Sequence, residues 1–437
     1  MIEFKIVKKQ GLARVGEIHT PHGDIRTPAF VGAATRATVK ALTMSQMRAL
    51  GSQAILANTY HLILRPGSEI IQEAGGLANF SSWHGPTFTD SGGFQIFSLP
   101  NVKISEQGVK FKSHIDGANF EMTPESSMQA QWKIGADIHM AFDHLAKSDS
   151  RKDMEEAMHR THAWLDRCVT EHQRILKLVK DEQFEVICDN GSKRRSEPRN
   201  DYQRSRGHGK LAFHVEATTD GRPSVDGCER GGPRIACPYE QYLYAVVQGG
   251  MFDDLRAESA KYCANQPVDG FGIGGVFTAE GMDKMLKTVN SILPEDKPRH
   301  LLGMGQEPLD LFVGVEYGCD TFDCVGPTRM ARNGSLYTKE GRINIKNAKY
   351  KRDFTSLMSD CDCECCKNYN KAYLHHLFKT DEITAKILAS IHNEYFIVHT
   401  VDNIRESLLN DSFQDYKHEF LSRYYNTTTS NTAKLDH

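Results

Sequence analysis

No stretch of the 437 residues is long and apolar enough to cross a bilayer. No apolar segment with a cleavage site follows the N-terminus either, where Met1 to Gln10 alternate apolar and charged residues. Neither a membrane span nor a secretory leader is expected. Charge of one sign is also missing. The formal net charge of -3 gives no global attraction to nucleic acid, so such binding must come from local basic patches. A disulfide framework spread along the chain fits the clustering of the eleven cysteines, four of which fall within Cys361–Cys366, less well than metal binding does. That clustering fits metal binding in a reducing compartment, and the cytosol is the expected location. What remains, 39% hydrophobic and 25% charged, is ordinary for a globular protein with one large domain and an appendage.

Short β-rich runs recur along the chain, most followed by a helical stretch. They begin with Pro28–Gly32, Ala54–Asn58, Thr87–Asp90 and Asp137–Asp143, and continue with Tyr244–Gln248, Gly270–Gly275, His300–Met304 and Thr321–Asp323. Helical spacing of apolar residues marks Ser45–Gly51, Glu125–Gly135, Arg151–Val179, Phe252–Gln266, Glu280–Ile292 and Pro308–Gly318. Strands alternating with helices call for parallel pairing, and their near-continuous apolar character fits a sheet buried on both faces. About eight such units suit a (β/α)8 barrel. A doubly wound open sheet is the competing architecture, and the many polar residues at strand ends favour the barrel.

The barrel is expected over residues 1–334, interrupted at 189–238 by a polar, Gly/Arg-rich insertion that reads as a solvated loop, with a basic arm touching RNA as the sharper alternative. A zinc-binding helical subdomain is expected at 335–425, and a polar, disordered tail at 426–437. Cys361, Cys363 and Cys366 with His392 form a donor set for a closed tetrahedral zinc, a structural ion with no open position for catalysis. Spacing alone leaves Cys365 in competition with Cys366, and His375, His376 and His399 in competition with His392.

The strand ends carry the candidate chemistry. Asp90 opens Asp90-Ser91-Gly92-Gly93-Phe94-Gln95, where two glycines allow a ligand close to the backbone and Phe94 offers a flat face. Asp143 ends the fourth run and Gln248-Gly249-Gly250 the fifth. Singly, each reads equally well as a capping Asp, a satisfied Gln or turn glycines. Together they supply a carboxylate, an amide and free backbone groups for the edge of a purine-like base. Asp323 ends the last run, and Arg329 and Arg332 beyond it are spaced like neighbours on one helical turn, placed to meet a polyanion. Two carboxylates in one site divide labour when their environments differ, one as nucleophile and one exchanging protons. Carboxylate attack at an anomeric carbon is the glycosyl-transfer solution.

Asp90–Gln95, Val247–Gly250, Gly274-Gly275, Phe322–Val325 with Pro327–Arg329 and Ala331–Gly334, and the Cys361/Cys363/Cys366 cluster with Ala372–Leu377 closely resemble bacterial-type tRNA-guanine transglycosylases. The resemblance runs from about Phe4 to about Leu408. It implies a TIM barrel with a zinc subdomain that exchanges guanine at the wobble position of tRNAs with a GUN anticodon for a 7-deazaguanine of the queuosine pathway. It implies Asp323 as the nucleophile at the ribose anomeric carbon and Asp90 as general acid/base. Asp143, Gln248 and the Gly275 backbone would read the base, with Phe94 stacked on it. Arg329 and Arg332 would hold the anticodon loop, and zinc would sit on Cys361, Cys363, Cys366 and His392. It further implies a homodimer. His144-Leu145-Ala146 and Val276–Ala279 depart from the family pattern beside the base's 7-substituent, while Glu280 matches the family's acidic residue there. A carboxylate at Glu280 favours the aminomethyl precursor preQ1 over the free base queuine. Two rival readings are a non-catalytic RNA-binding partner subunit, opposed by the presence of both Asp90 and Asp323, and a metal-dependent barrel hydrolase, opposed by the lack of an open metal position at the strand ends. Gly270–Gly275 has the wrong spacing for a nucleotide-cradling loop, so no nucleotide cofactor is expected.

Overall fold

Period-two alternation in short, doubly buried strands gives each one a face toward a barrel interior and a face toward helices. In the computed structural model, which describes residues 2–180, 186–187, 193–194, 216–217, 223–224, 240–274 and 281–425, eight such strands close on themselves. They are Ala29–Ala33, Ala54–Ala57, Thr87–Thr89, Ile138–Met140, Tyr242–Val247, Gly270–Ile273, Arg299–Leu301 and Thr321–Cys324. Each pairs in parallel with the next, and the last pairs with the first in the register Asp323 to Val31, which excludes the open sheet.

Alternate residues sort into two cores. Val31, Leu56, Phe88, Met140, Tyr244 and Val246 pack together, joined by Phe4, Ile18 and Ile25 of an N-terminal antiparallel sheet. Phe30, Ile55, Phe142, Ala245, Phe271, Leu301 and Phe322 belong to a second, larger cluster shared with the helices. The N-terminal sheet, Glu3–Gln10, Ala13–Thr20 and Gly23–Thr27, is fastened to the residues that precede strands. Arg14 donates to both carboxylate oxygens of Asp320, a pair almost wholly withdrawn from solvent. His22 pairs with Asp137 at 2.7 Å. One end of the barrel is thereby plugged, and the C-terminal end of the strands stays open for a site.

Helix boundaries follow local chemistry. Pro124–Ile134 starts on a Thr123/Ser126 capping box with proline in its first turn and stops at Gly135, whose φ of 72° suits glycine. After the eighth strand, the short helix Gly326–Arg332 packs against the long helix Ile383–Leu409. Asn393 of the long helix fixes that contact. Its amide donates to the carbonyls of Pro327 (3.0 Å) and Ser335 (3.1 Å), and its oxygen accepts from the Tyr337 N–H. Within the expected insertion 189–238, residues 193–194 pair with 186–187 and residues 216–217 pair with 223–224, all antiparallel. The other insertion residues and the tail 426–437 lie outside the described residues.

Candidate active site and metal centre

Asp90 follows the third strand, and its N–H donates to Ala57 O at 3.2 Å, which locks the segment to the second strand. Its Oδ1 accepts from the backbone N–H groups of Thr59 and Gly92, both at 3.0 Å, and its Oδ2 accepts from the Asn58 amide. These donors favour the carboxylate, yet burial outweighs them. Assisted by the negative charge of Asp323, burial raises the Asp90 pKa to about 7. The two aspartates are therefore close enough to interact, although they come from strands three places apart around the barrel.

Asp323 is 9% exposed. Its Oδ1 accepts from Gly303 N–H at 2.9 Å and lies 3.2 Å from His300 Nε2, while Oδ2 has no hydrogen bond among the described residues. Asp143 sits beside Asp90 through the intervening Ser91, whose hydroxyl donates to Asp143 Oδ1 at 2.8 Å. Gln248 Nε2 donates to Asp143 Oδ2 at 2.7 Å, leaving Gln248 Oε1 without a partner among the described residues. Burial raises the Asp143 pKa against the lowering effect of those two donors. The glycines of this segment are required by space: a Cβ on Gly93 would lie 2.9 Å from Asp143 O, and Gly92 has a φ of 81°. Phe94 is the second residue of the short helix Gly93–Phe97 and is 64% exposed, which leaves a flat ring face open to solvent beside Asp90. Gly275, together with Phe277 and Glu280, lies outside the described residues.

Arg329 is exposed and Arg332 half-buried on the Gly326–Arg332 helix. Burial comes first in lowering the Arg332 pKa, followed by the charge of Arg329. The loop after the first strand adds Arg36 and Lys40, both exposed. Burial and then Arg332, Arg36 and Arg329 lower the Lys40 pKa, so the four cations share one rim. Strand pairing explains this, because the first and eighth strands are neighbours and their loops emerge side by side. Arg36, Lys40 and Arg329 have no salt-bridge partner among the described residues, which leaves a positive rim on the loops after the first and eighth strands. His61, next to that rim, is pushed down to about 4, by burial first and then by Arg36.

Asn58, Thr59, His300 and the Arg36/Lys40 pair were not expected from the sequence as site residues. Asn58 did carry a signal, since it ends the second β-rich run in the same way that Asp90 ends the third.

The metal centre is settled by geometry. Donor atoms of Cys361, Cys363, Cys366 and His392 all lie within 4.8 Å of one another. The Sγ to Nδ1 separations are 3.8, 3.5 and 3.3 Å, close to the edges of about 3.5 Å of a tetrahedron with Zn–S of about 2.3 Å and Zn–N of about 2.0 Å. His392 Nε2 lies 2.8 Å from Tyr337 O, a partner that turns Nδ1 toward the sulfurs. None of the competing residues, Cys365, His375, His376 and His399, belongs to that donor group. His375 meets Ile345 O at 2.9 Å and His399 stacks on Tyr395, whereas the Cys365 thiol is buried and its pKa raised by that burial. The donors fit a structural zinc ion. With four protein ligands it has no open position for substrate.

No helix among the described residues is long and apolar enough to cross a membrane. The sequence matches the family described as "TGT: Queuine tRNA-ribosyltransferase" over residues 9–196 and 222–426. A queuine tRNA-ribosyltransferase of Herpetosiphon aurantiacus is 40% identical over 426 residues, covering 96% of this chain and 92% of the relative. One from Desulforamulus reducens is 39% identical, covering 96% of this chain and 98% of its own. The Bacillus subtilis protein of that name is 37% identical, covering 97% and 96%. The barrel, the paired carboxylates at its open end and the Cys3His group occur here in a chain of matching length and sequence, and the chain belongs to the queuine tRNA-ribosyltransferase family, a family of tRNA-guanine transglycosylases.

Proposed function

We propose that this chain exchanges guanine at the wobble position of GUN-anticodon tRNAs for a 7-deazaguanine base, through a covalent link between Asp323 and the ribose. The observation that carries this reading is the pair of carboxylates at the strand ends, with Asp90 raised to about 7 by burial first and by the charge of Asp323 in addition. An Asp323 oxygen forms a bond to C1′ as the C1′–N9 bond breaks and the electron pair leaves with guanine. Protonated Asp90 supplies the proton that neutralises the departing base. In the second half, the Asp90 carboxylate takes the N9 proton of the incoming base, whose nitrogen attacks C1′ and releases Asp323. Each displacement inverts the anomeric centre, and the two together retain its configuration.

Asp143 and Gln248 Oε1 read the base edge, the Gly275 backbone completes the contact, and exposed Phe94 stacks on the ring. Arg329 and Arg332, with Arg36 and Lys40 beside them, receive the anticodon-loop phosphates. The incoming base is preQ1, whose ammonium group suits the acidic Glu280 that the family resemblance assigns to the 7-substituent, and queuine is the runner-up. The protein works in the cytosol as a homodimer, which light scattering on the purified chain checks directly. Competition of labelled guanine with preQ1 and with queuine on an unmodified GUN tRNA tests the base. Asp323→Asn tests the chemistry: retained exchange, or the absence of a denaturant-stable protein–tRNA complex in the wild type, refutes it.

A further inference from the structure

We propose that His300, with Thr321 behind it, is the positioning residue that aims Asp323 for attack. The inference rests on Asp323 being the nucleophile and goes beyond that reading in assigning how its carboxylate is held. His300 lies in the seventh strand, is 0% exposed and stacks on Phe88, with ring centroids 5.4 Å apart, in the barrel interior. Its Nε2 is 3.2 Å from Asp323 Oδ1, and its Nδ1 is 2.9 Å from Thr321 Oγ1.

The hydrogens follow from the chemistry of the partners. An ionised carboxylate only accepts, so Nε2 carries the proton toward Asp323. A neutral ring then presents Nδ1 as an acceptor, and the buried Thr321 hydroxyl donates to it. The carboxylate sets the tautomer, and the hydroxyl adapts to it and holds the ring by its second nitrogen. Gly303 N–H donates to the same Oδ1 at 2.9 Å. Two donors grip one oxygen, while Oδ2 has none among the described residues. The gripped oxygen fixes the plane of the carboxylate, and the free one keeps a lone pair for C1′. The contribution of His300 is to hold an attack geometry in which a displacement of about 1 Å costs about a hundredfold in rate.

A ring that merely fills the barrel would behave differently from one that donates. Single-turnover guanine release from tRNA, tRNA KM and melting temperature are read for His300→Leu, His300→Gln, Thr321→Val and Thr321→Ser, with Asp323→Asn as control. His300→Leu is expected to lose about a hundredfold in rate with tRNA KM within about twofold of wild type. His300→Gln, which retains an N–H, is expected to recover at least about tenfold of that loss, and Thr321→Ser is expected to outpace Thr321→Val by about fivefold. Equal rates for the Leu and Gln variants, or a His300→Leu rate within about threefold of wild type, overturn the proposal. If the His300 variants do not fold, the Thr321 pair decides, and equal rates for Val and Ser overturn it. An inactive Asp323→Asn beside a fully active His300→Leu sinks this inference alone. An active Asp323→Asn sinks the nucleophile assignment on which it stands.

Discussion

The raised pKa of Asp90 makes a prediction that pH can test. With a midpoint of about 7, the group is about nine-tenths protonated at pH 6 and about one-tenth at pH 8. Guanine release from tRNA in a single turnover needs the protonated form, so its rate should fall about tenfold between those values. The three donors to Asp90 favour its carboxylate form. Asn58→Ala removes one of them and should move the midpoint upward, by about one pH unit for a hydrogen bond to a charged group. The stability side has a definite sign. The folded-state value lies above the unfolded one, so the group favours folding at low pH and its ionisation opposes folding as pH rises through about 7. Going from 3.8 to about 7, at about 1.4 kcal/mol per unit, is at most about 4 kcal/mol. Asp90→Asn should therefore abolish exchange while raising the melting temperature at pH 8 relative to wild type. Rapid-quench release of labelled guanine and calorimetry at both pH values are the assays. A release rate flat from pH 6 to 8, a midpoint that drops in Asn58→Ala, or an Asp90→Asn protein less stable than wild type at pH 8 would refute the reasoning.

Replacing Arg36 and Lys40 with alanine should weaken tRNA binding and flatten its salt dependence by about 0.7 in log–log slope for each phosphate no longer neutralised, while guanine binding is unchanged. An unaltered slope in filter-binding titrations removes these residues from the RNA path. Cys366→Ala should lose the ion, whereas Cys365→Ala should retain one zinc per chain by metal analysis. Burial pulls His139 well below its ordinary pKa and His172 to about 4. Folded values below the unfolded one mean that stability is present above about pH 6.5 and is lost as pH falls toward 4. His139→Leu should accordingly gain more in melting temperature at pH 5.5 than at pH 8, and a uniform change would argue against the assignment.

The parts of this molecule that were legible in its sequence are those where one residue carries its own context. Asp90, Asp143, Gln248 and Asp323 each terminate a short apolar run, and in a barrel such ends converge. The three cysteines are close in sequence, but His392 required the resemblance, because four histidines lie within reach of the same loop and only packing selects one. His300 was illegible because a histidine inside an apolar strand looks like filler until its neighbour Thr321 and the strand register are known. Arg36 and Lys40 are ordinary loop cations until the first strand is known to pair with the eighth. The alternation at Met1 to Gln10 hinted at a strand. It did not reveal that a three-stranded sheet would plug the barrel through a buried Arg14–Asp320 pair.

Adjacent positions on the long helix, His392 and Asn393, face different duties: one closes the metal group and the other clamps the segment bearing Arg329 and Arg332. Neither can be transplanted alone. A chimera that borrowed this helix from another protein would have to bring both residues in the same turn, or accept a misaligned arginine pair together with a damaged ion site. Treatment with a chelator should likewise be felt first in the grip on RNA, with Asp90, three strands away around the barrel, the last to notice.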